Sequence, residues 1–274
     1  VKMSEGGASL SIELASGRGR LVVCPTVVEL NVHAAEEVLV SAADAIERRG
    51  TFAIALSGGA TPRGLYKLLA TAEYASRLDW ARAQVYWGDE RAVPAEHPRS
   101  NYRMAVEALL SHVPVPRDHI HRMHADSTNL EAAAAKYDAL LKRTLPRDGD
   151  GHPRLDLVLL GMGADGHTAS LFPSSPALRE ARRWVVANYA PALDEDRMTL
   201  TYPAINAARR VVFLVSGPSK ASTLAQVLMG PHKPLDLPAQ GVQPESGYLL
   251  WIADEGAASL LPIHAQAGSA VDEA

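Results

Sequence analysis

An alternation of short apolar runs with helical stripes predicts an α/β protein whose mostly parallel sheet is covered by helices on both faces. Three observations carry that prediction. Leu155–Leu160 and Val211–Val215 are almost continuously apolar, the mark of strands buried on both sides. Residues 27–49 place Val28, Val32, Ala35, Val38, Leu39, Ala42 and Ile46 at helical spacing, with Gly50 standing where a helix-ending glycine belongs. Further apolar runs alternate with helical segments along most of the chain.

In order, strands are expected at Leu10–Leu14 and Leu21–Cys24, before the helix over 27–49. Phe52–Leu56 is a strand, followed by a helix over 62–75 with Thr61 as its cap and Pro62 at its first position. Gln84–Trp87 is a strand, followed by a loop and a helix from Ser100 to Leu110. A helix over 128–144 takes Ser127 as its cap, and residues 146–154 are a loop. After Leu155–Leu160, strands are expected at Trp184–Ala187, Met198–Thr201 and Val211–Val215. A helix over 218–228, a Pro- and Gly-rich surface loop over 230–247 and a last strand at Tyr248–Ile252 complete the chain. No repeat or linker divides it, so one domain is expected over 10–262, between a flexible lead-in (1–9) and a flexible tail (263–274).

The bulk properties exclude several classes. The chain has 274 residues, enough for a large core, and at 47% hydrophobic and 21% charged it reads as globular rather than disordered. The net charge of −4, without a Lys/Arg block, argues against a nucleic-acid partner. No apolar run approaches the roughly 18 residues that span a membrane, and the polar start lacks the apolar core of a signal peptide. Cys24 is the only cysteine, so no intrachain disulfide forms; it reads as a buried small hydrophobe. Together these point to a cytoplasmic protein with no membrane partner.

Four apolar strands each end in a small, polar, turn-rich segment. Phe52–Leu56 runs into Ser57-Gly58-Gly59-Ala60-Thr61-Pro62. Gln84–Trp87 runs into Gly88-Asp89-Glu90-Arg91. Leu155–Leu160 runs into Gly161-Met162-Gly163-Ala164-Asp165-Gly166-His167. Val211–Val215 runs into Ser216-Gly217-Pro218-Ser219-Lys220. Ligands of open parallel sheets bind outside the carboxyl ends of the strands. If these four strands share a sheet, their loops converge on one cleft.

The first loop is a strand-glycine-helix junction. Ser57, Gly58, Gly59 and Thr61 offer backbone N–H groups and hydroxyls at the positive end of a helix, which suits a phosphate monoester. It is not a Walker loop, because no Gly-Lys-Ser/Thr follows. The third loop matches Gly-x-Gly-x-x-Gly formally. As a dinucleotide motif it reads badly, because Asp165 sets a carboxylate against the pyrophosphate and Pro173 leaves little room for a long helix. The other use of these glycines is to hold His167 at the rim of the sheet as a general base. Asp89-Glu90-Arg91 reads as either a solvated loop or part of a site. Lys220, at the start of a helix, opposes the helix dipole and hints at an anion nearby. Arg197, at the start of a strand behind Asp194-Glu195-Asp196, reads first as a solvated charge. His119, His121 and His124 lack the acid or thiol that would complete a metal site. No Gly-x-Ser-x-Gly elbow marks a serine hydrolase.

With these motifs in hand, the chain resembles the 6-phosphogluconolactonases, in the superfamily that also holds glucosamine-6-phosphate deaminases. The resemblance rests on Leu56–Pro62, Trp87–Arg91, Ser100-Asn101-Tyr102, Gly161–Pro173, Ser216–Lys220 and Pro238-Ala239-x-Gly241-Val242. It implies a three-layer Rossmann-like fold and hydrolysis of 6-phospho-D-glucono-1,5-lactone in the oxidative pentose phosphate pathway. It also implies no metal or organic cofactor, and a sugar-phosphate lactone as the small-molecule partner of what is expected to be a monomer. By the same resemblance, His167 falls on the general base, and Asp89 and Arg91 on the active-site acid and arginine. Ser57, Gly58, Gly59, Thr61, Arg197 and Lys220 fall on or near phosphate-binding positions. Asp89 is left with three roles: orienting water, orienting a sugar hydroxyl or tuning His167. The oxyanion is left to Arg91 or to loop amides. The rivals are a glucosamine-6-phosphate deaminase and a non-catalytic sugar-phosphate sensor. The deaminase motif has a glutamate five residues after the histidine, where this chain has Phe172.

Overall fold

The computed structural model describes residues 9–14, 18–147, 149 and 151–262. The expected lead-in, apart from Ser9, and the expected tail lie outside these residues.

Strands β1 (Leu10–Glu13) and β2 (Arg20–Cys24) open the chain as an antiparallel pair, and helix α1 (Val27–Arg49) follows. The Thr26 side chain caps α1 by accepting from the Val28 N–H, and Gly50 ends it in the left-handed region at φ 75°. Its buried face runs from Leu30 through Ala34, Val38 and Ala42, not from Val28 and Val32, which are 65% and 39% exposed. The expected stripe therefore starts about one turn too early. Strand β3 (Phe52–Leu56) leads into α2 (Ala60–Leu69) and the short α3 (Ala72–Ala75). The single helix expected over 62–75 breaks at Thr71, whose N–H and hydroxyl both turn back to the Leu68 carbonyl.

Strands β4 (Ala83–Trp87) and β5 (Asp89–Arg91) are separated by Gly88 alone. Helix α4 (Asn101–Ala105), capped by Ser100, continues into a wider π turn over Val106–Leu110. Helix α5 (Leu130–Thr144) is capped by Asn129, whose Oδ1 accepts from the Ala132 N–H at 2.9 Å. Ser127 instead bonds backbone groups of Asn129, so the helix starts later than expected. The rest comprises β6 (Leu157–Gly161), β7 (Val185–Ala190), β8 (Glu195–Leu200), α6 (Tyr202–Asn206), β9 (Arg210–Val215), α7 (Ala221–Met229), β10 (Tyr248–Asp254) and α8 (Glu255–Ala258). The loop over 230–247 is less superficial than its composition suggests. Gln240 is buried and donates to the Gln226, Val227 and Pro231 carbonyls, closing the end of α7.

Seven strands form the main sheet in the order β1-β2-β10-β9-β6-β3-β4, parallel except for the β1 edge. The helices flank it, with α1 packed on α2 and against β3 and β10. Phe213 and Trp251 stack at 3.8 Å between β9 and β10. The strands expected near 184 and 198 do not join this sheet. With β5 they form a separate antiparallel sheet of order β5-β8-β7, in which β8 pairs with both neighbours. Gly88 is the crossing point: its N–H donates to the Leu56 carbonyl at the end of β3, and its carbonyl accepts from the Leu200 N–H of β8, both at 2.8 Å.

Candidate active site

Strands β4, β3, β6 and β9 are consecutive neighbours in the sheet, and β3 is the point at which the chain first builds outward to β4 and later returns on the other side to β6. A cleft of about 440 Å³ opens at their carboxyl ends, and all four polar segments line it. The convergence expected from the strand-end pattern is therefore real. The small antiparallel sheet supplies the far wall, through Asp89, Arg91 and Arg197.

The first loop is fixed from beneath. Tyr66, on the first turns of α2, donates its hydroxyl to the Ser57 carbonyl and accepts from the Ser57 N–H, both at 2.9 Å. Gly59, not Thr61, is the helix cap; its φ of 110° starts α2 at Ala60, two residues before Pro62. The amides of Ala60 and Thr61 at the start of this ten-residue helix thus have no intrahelical acceptor. Thr61 bonds Ser216 across the cleft floor, Oγ1 to Oγ at 2.6 Å, tying the β3 loop to the β9 loop. Ser57 Oγ is buried with no protein partner.

Beside it, Gly58 leaves room for Asn101: a Cβ there would lie 1.9 Å from Asn101 Oδ1. Asn101 donates to the Asp89 carbonyl at 2.9 Å and to its Oδ1 at 3.1 Å, and Ser170 donates to Oδ2 at 2.7 Å. Asp89 is thus a buried carboxylate held by two neutral donors at the cleft wall. Glu90 points the other way. It accepts from the Asn101 and Tyr102 N–H groups and from Ser100 Oγ, so it fastens the start of α4.

His167 stands on the β6 loop. Its Nδ1 lies 2.6 Å from Asp165 Oδ1, which also accepts the His167 N–H at 3.1 Å. With Nδ1–H donated to a carboxylate, the lone pair is on Nε2. Burial pushes the Asp165 carboxyl up, but the hydrogen bond and charge of His167 outweigh it and leave the group below its ordinary value. Gly163 makes the pair possible. A Cβ there would meet His167 Nδ1 at 2.1 Å and Asp165 Oδ1 at 2.4 Å. Phe172 packs against the imidazole with ring centroids 4.7 Å apart.

Arg91 and Arg197 face each other directly across β5 and β8. Like charges in that register repel. Burial, then the nearby Arg91, depress the Arg197 guanidinium below its ordinary value. Arg197 is 5% exposed, which overturns its reading as a solvated charge. It pairs with Glu195 through Nη2, and Arg91 donates to the Arg99 carbonyl, yet the Nε of each arginine is buried without a protein partner. Lys220 lines the same cleft and makes no ion pair among the described residues.

All nine residues named from the sequence are thus near one cleft. Sequence reasoning carried Asn101, Ser170 and Ser216 inside its motifs without giving any of them a role, and did not make Asp165 the partner of His167. Asp165 carried a signal, an acid two residues before a histidine in a glycine loop. Ser216 carried one too, its place directly after the Val211–Val215 strand, whereas Ser170 carried none beyond its motif. Among the described residues no group of three or more His, Cys, Asp or Glu is placed to hold a metal ion. His119 and His121 instead bond the Ala83 carbonyl and Gln84 Oε1 beside β4.

Residues 25–251 match the family model described as glucosamine-6-phosphate isomerases/6-phosphogluconolactonase. The chain belongs to this family. A 6-phosphogluconolactonase of Nostoc sp. is 40% identical over 241 residues, covering 88% of this chain and 98% of that protein. One from Synechocystis sp. is 42% identical, covering 78% of this chain and 86% of its own length. The structure of 6-phosphogluconolactonase from Trypanosoma cruzi superposes with a TM-score of 0.80 at 30% identity, over 92% of this chain and all of that one. A monomeric glucosamine-6-phosphate deaminase shares the family fold at 24% identity and a TM-score of 0.72.

Proposed function

We propose that this member of the family hydrolyses 6-phospho-D-glucono-1,5-lactone to 6-phosphogluconate. The observation that carries the reading is the His167–Asp165 pair beside a cleft whose buried donors, Ser57 Oγ, Arg91 Nε and Arg197 Nε, lack protein partners. Arg91, Arg197 and Lys220 line that cleft together, which suits an anionic substrate. The curated relatives and the solved structures named for this activity support the same substrate.

In this reading the phosphate lies among the start of α2, Arg197 and Lys220, which fixes the lactone ring for reaction. His167 Nε2 takes a proton from water as the water's oxygen bonds to C1, and Asp165 holds the imidazole orientation and steadies the imidazolium. The tetrahedral oxyanion is met by Arg91 or by loop amides. The proton then passes to the ring oxygen as the C1–O bond breaks. No covalent enzyme intermediate is needed, because the substrate is already an ester. Asp89, held by Asn101 and Ser170, faces a sugar hydroxyl or the water; the partner it was also considered for, His167, is taken by Asp165.

Phe172 favours lactone hydrolysis over deamination, since an apolar ring rests on the imidazole where the deaminase motif has a proton-relaying glutamate. We take residues 10–262 to act as one domain and the protein to work as a monomer. No helix among the described residues is long and apolar enough to cross a membrane. Cys24 is buried and burial pushes its thiol up to about 11, so it is inert packing; this suits the cytosol we infer as its compartment. The test is hydrolysis of freshly generated lactone with spontaneous hydrolysis subtracted, beside ammonia release from glucosamine 6-phosphate. Ammonia release without lactone hydrolysis would reverse the assignment.

A further inference from the structure

A second cavity, of about 1110 Å³, shares no lining residue with the cleft. It lies between the π turn that extends α4, the segment over 115–127 and one face of α5. Its floor is apolar, with Val106, Leu110, Val115, Ile120, Ala133 and Leu140. The floor has a local cause. The Ser111 N–H reaches back five residues to the Val106 carbonyl at 3.1 Å, and this wider turn keeps Tyr102, Val106 and Leu110, spaced by four, on the cavity side.

The charged lining is of one sign. Arg117, Arg122 and Lys136 supply cations, His121 and His124 add to them on protonation, and among the described residues no carboxylate lines the cavity. Arg122 is braced by Asp126 at 3.2 Å and lies 5.8 Å over the Tyr102 ring, so its position is set. Arg117 and Lys136 make no ion pair among the described residues. In a chain of net charge −4, this is a local concentration of positive charge above an apolar floor. Cavities of this kind, mostly apolar with a few convergent polar groups, hold small organic ligands.

We propose that this cavity binds an amphipathic organic anion, its apolar body on the Val106–Leu110 floor and its phosphate or carboxylate between Arg117, Arg122 and Lys136. The probe is 8-anilinonaphthalene-1-sulfonate, an aromatic anion that fluoresces when its body leaves water. Titration of the full chain is expected to show one saturable site that a large excess of 6-phosphogluconate does not displace. Charge reversal at two exposed positions, Arg117→Glu with Lys136→Glu, is expected to weaken binding by at least about tenfold, the loss of charge-assisted contacts. Ala132→Trp, at an exposed position on the rim, is expected to block the dye without disturbing the core. Competition with adenosine monophosphate or decanoate then identifies the body as aromatic or aliphatic. Displacement of the dye by 6-phosphogluconate, unchanged affinity in both variants, or no displacement by either competitor would each overturn the proposal.

Discussion

At the scale of single residues, the chemistry depends on a pair of side chains that a third residue must not crowd. His167→Ala is expected to lower kcat by about 10²- to 10⁴-fold, the usual worth of a general base, with a smaller change in KM. Asp165→Asn keeps the shape but lets the imidazole adopt the wrong tautomer. Losing one charged hydrogen bond predicts a fall in kcat of about 10- to 100-fold. The same variant tests the electrostatics. Because the folded state holds the Asp165 carboxyl below its ordinary value, the pair contributes stability above that ordinary value and loses it as the pH falls through the lowered one. Denaturant melts of native protein and Asp165→Asn should therefore differ at neutral pH and converge in acid; a gap that widened in acid would refute the pairing. Gly163 explains what the formal dinucleotide pattern is for. Its missing side chain makes room for the His167–Asp165 contact, so the glycines serve a histidine rather than a pyrophosphate. The spacing alone could not distinguish these uses, because both require a backbone that something approaches closely.

At the scale of elements, strands were more legible than helix starts. Continuous apolar runs located β3, β4, β6, β9 and β10 to within a residue or two, since burial on both faces leaves little freedom of composition. Caps were misplaced where two candidate residues stood close together, as with Ser127 and Asn129, and where a glycine's positive φ moved the start, as at Gly59. Two strands of the small sheet were legible, near 184 and 198, but β5 and the separateness of the sheet were not. Three residues, Asp89–Arg91, are too few for a periodic signal, and their strand exists because Leu200 pairs with Gly88 and the β8 register continues from there. Glu90 shows how such a short strand is anchored. Its two oxygens accept from Ser100 Oγ and from the Asn101, Tyr102 and Arg91 amides, so every lone-pair direction faces a donor. Glu90→Gln puts an NH₂ group against two of those donors. The expected cost is about 1–3 kcal/mol in denaturant unfolding, with KM raised as Asn101 loses its position beside Asp89.

At the scale of the whole molecule, the net charge of −4 is a poor guide to what a negatively charged substrate meets. Arg91, Arg197 and Lys220 gather at one end of the sheet, with Asp89 the only carboxylate among the described residues to line that cleft. Their convergence follows from topology: only because β4, β3, β6 and β9 are adjacent do loops more than 100 residues apart in the chain share a rim. The sequence order of the motifs did not contain that adjacency, although the rule about carboxyl ends anticipated its result. A cleft carrying this field should attract its substrate through water. At 0.1 M salt, charges act over roughly 10 Å, and at 1 M over roughly 3 Å. For the proposed lactone, kcat/KM is therefore expected to fall as salt rises over that range, while kcat, measured on substrate already bound, changes little. Arg197→Gln should raise KM by about 10- to 100-fold through a lost charged contact and should flatten the salt dependence of what remains. A salt dependence that stayed fully steep in Arg197→Gln would assign the attraction to Arg91 and Lys220, the cations that remain in the cleft.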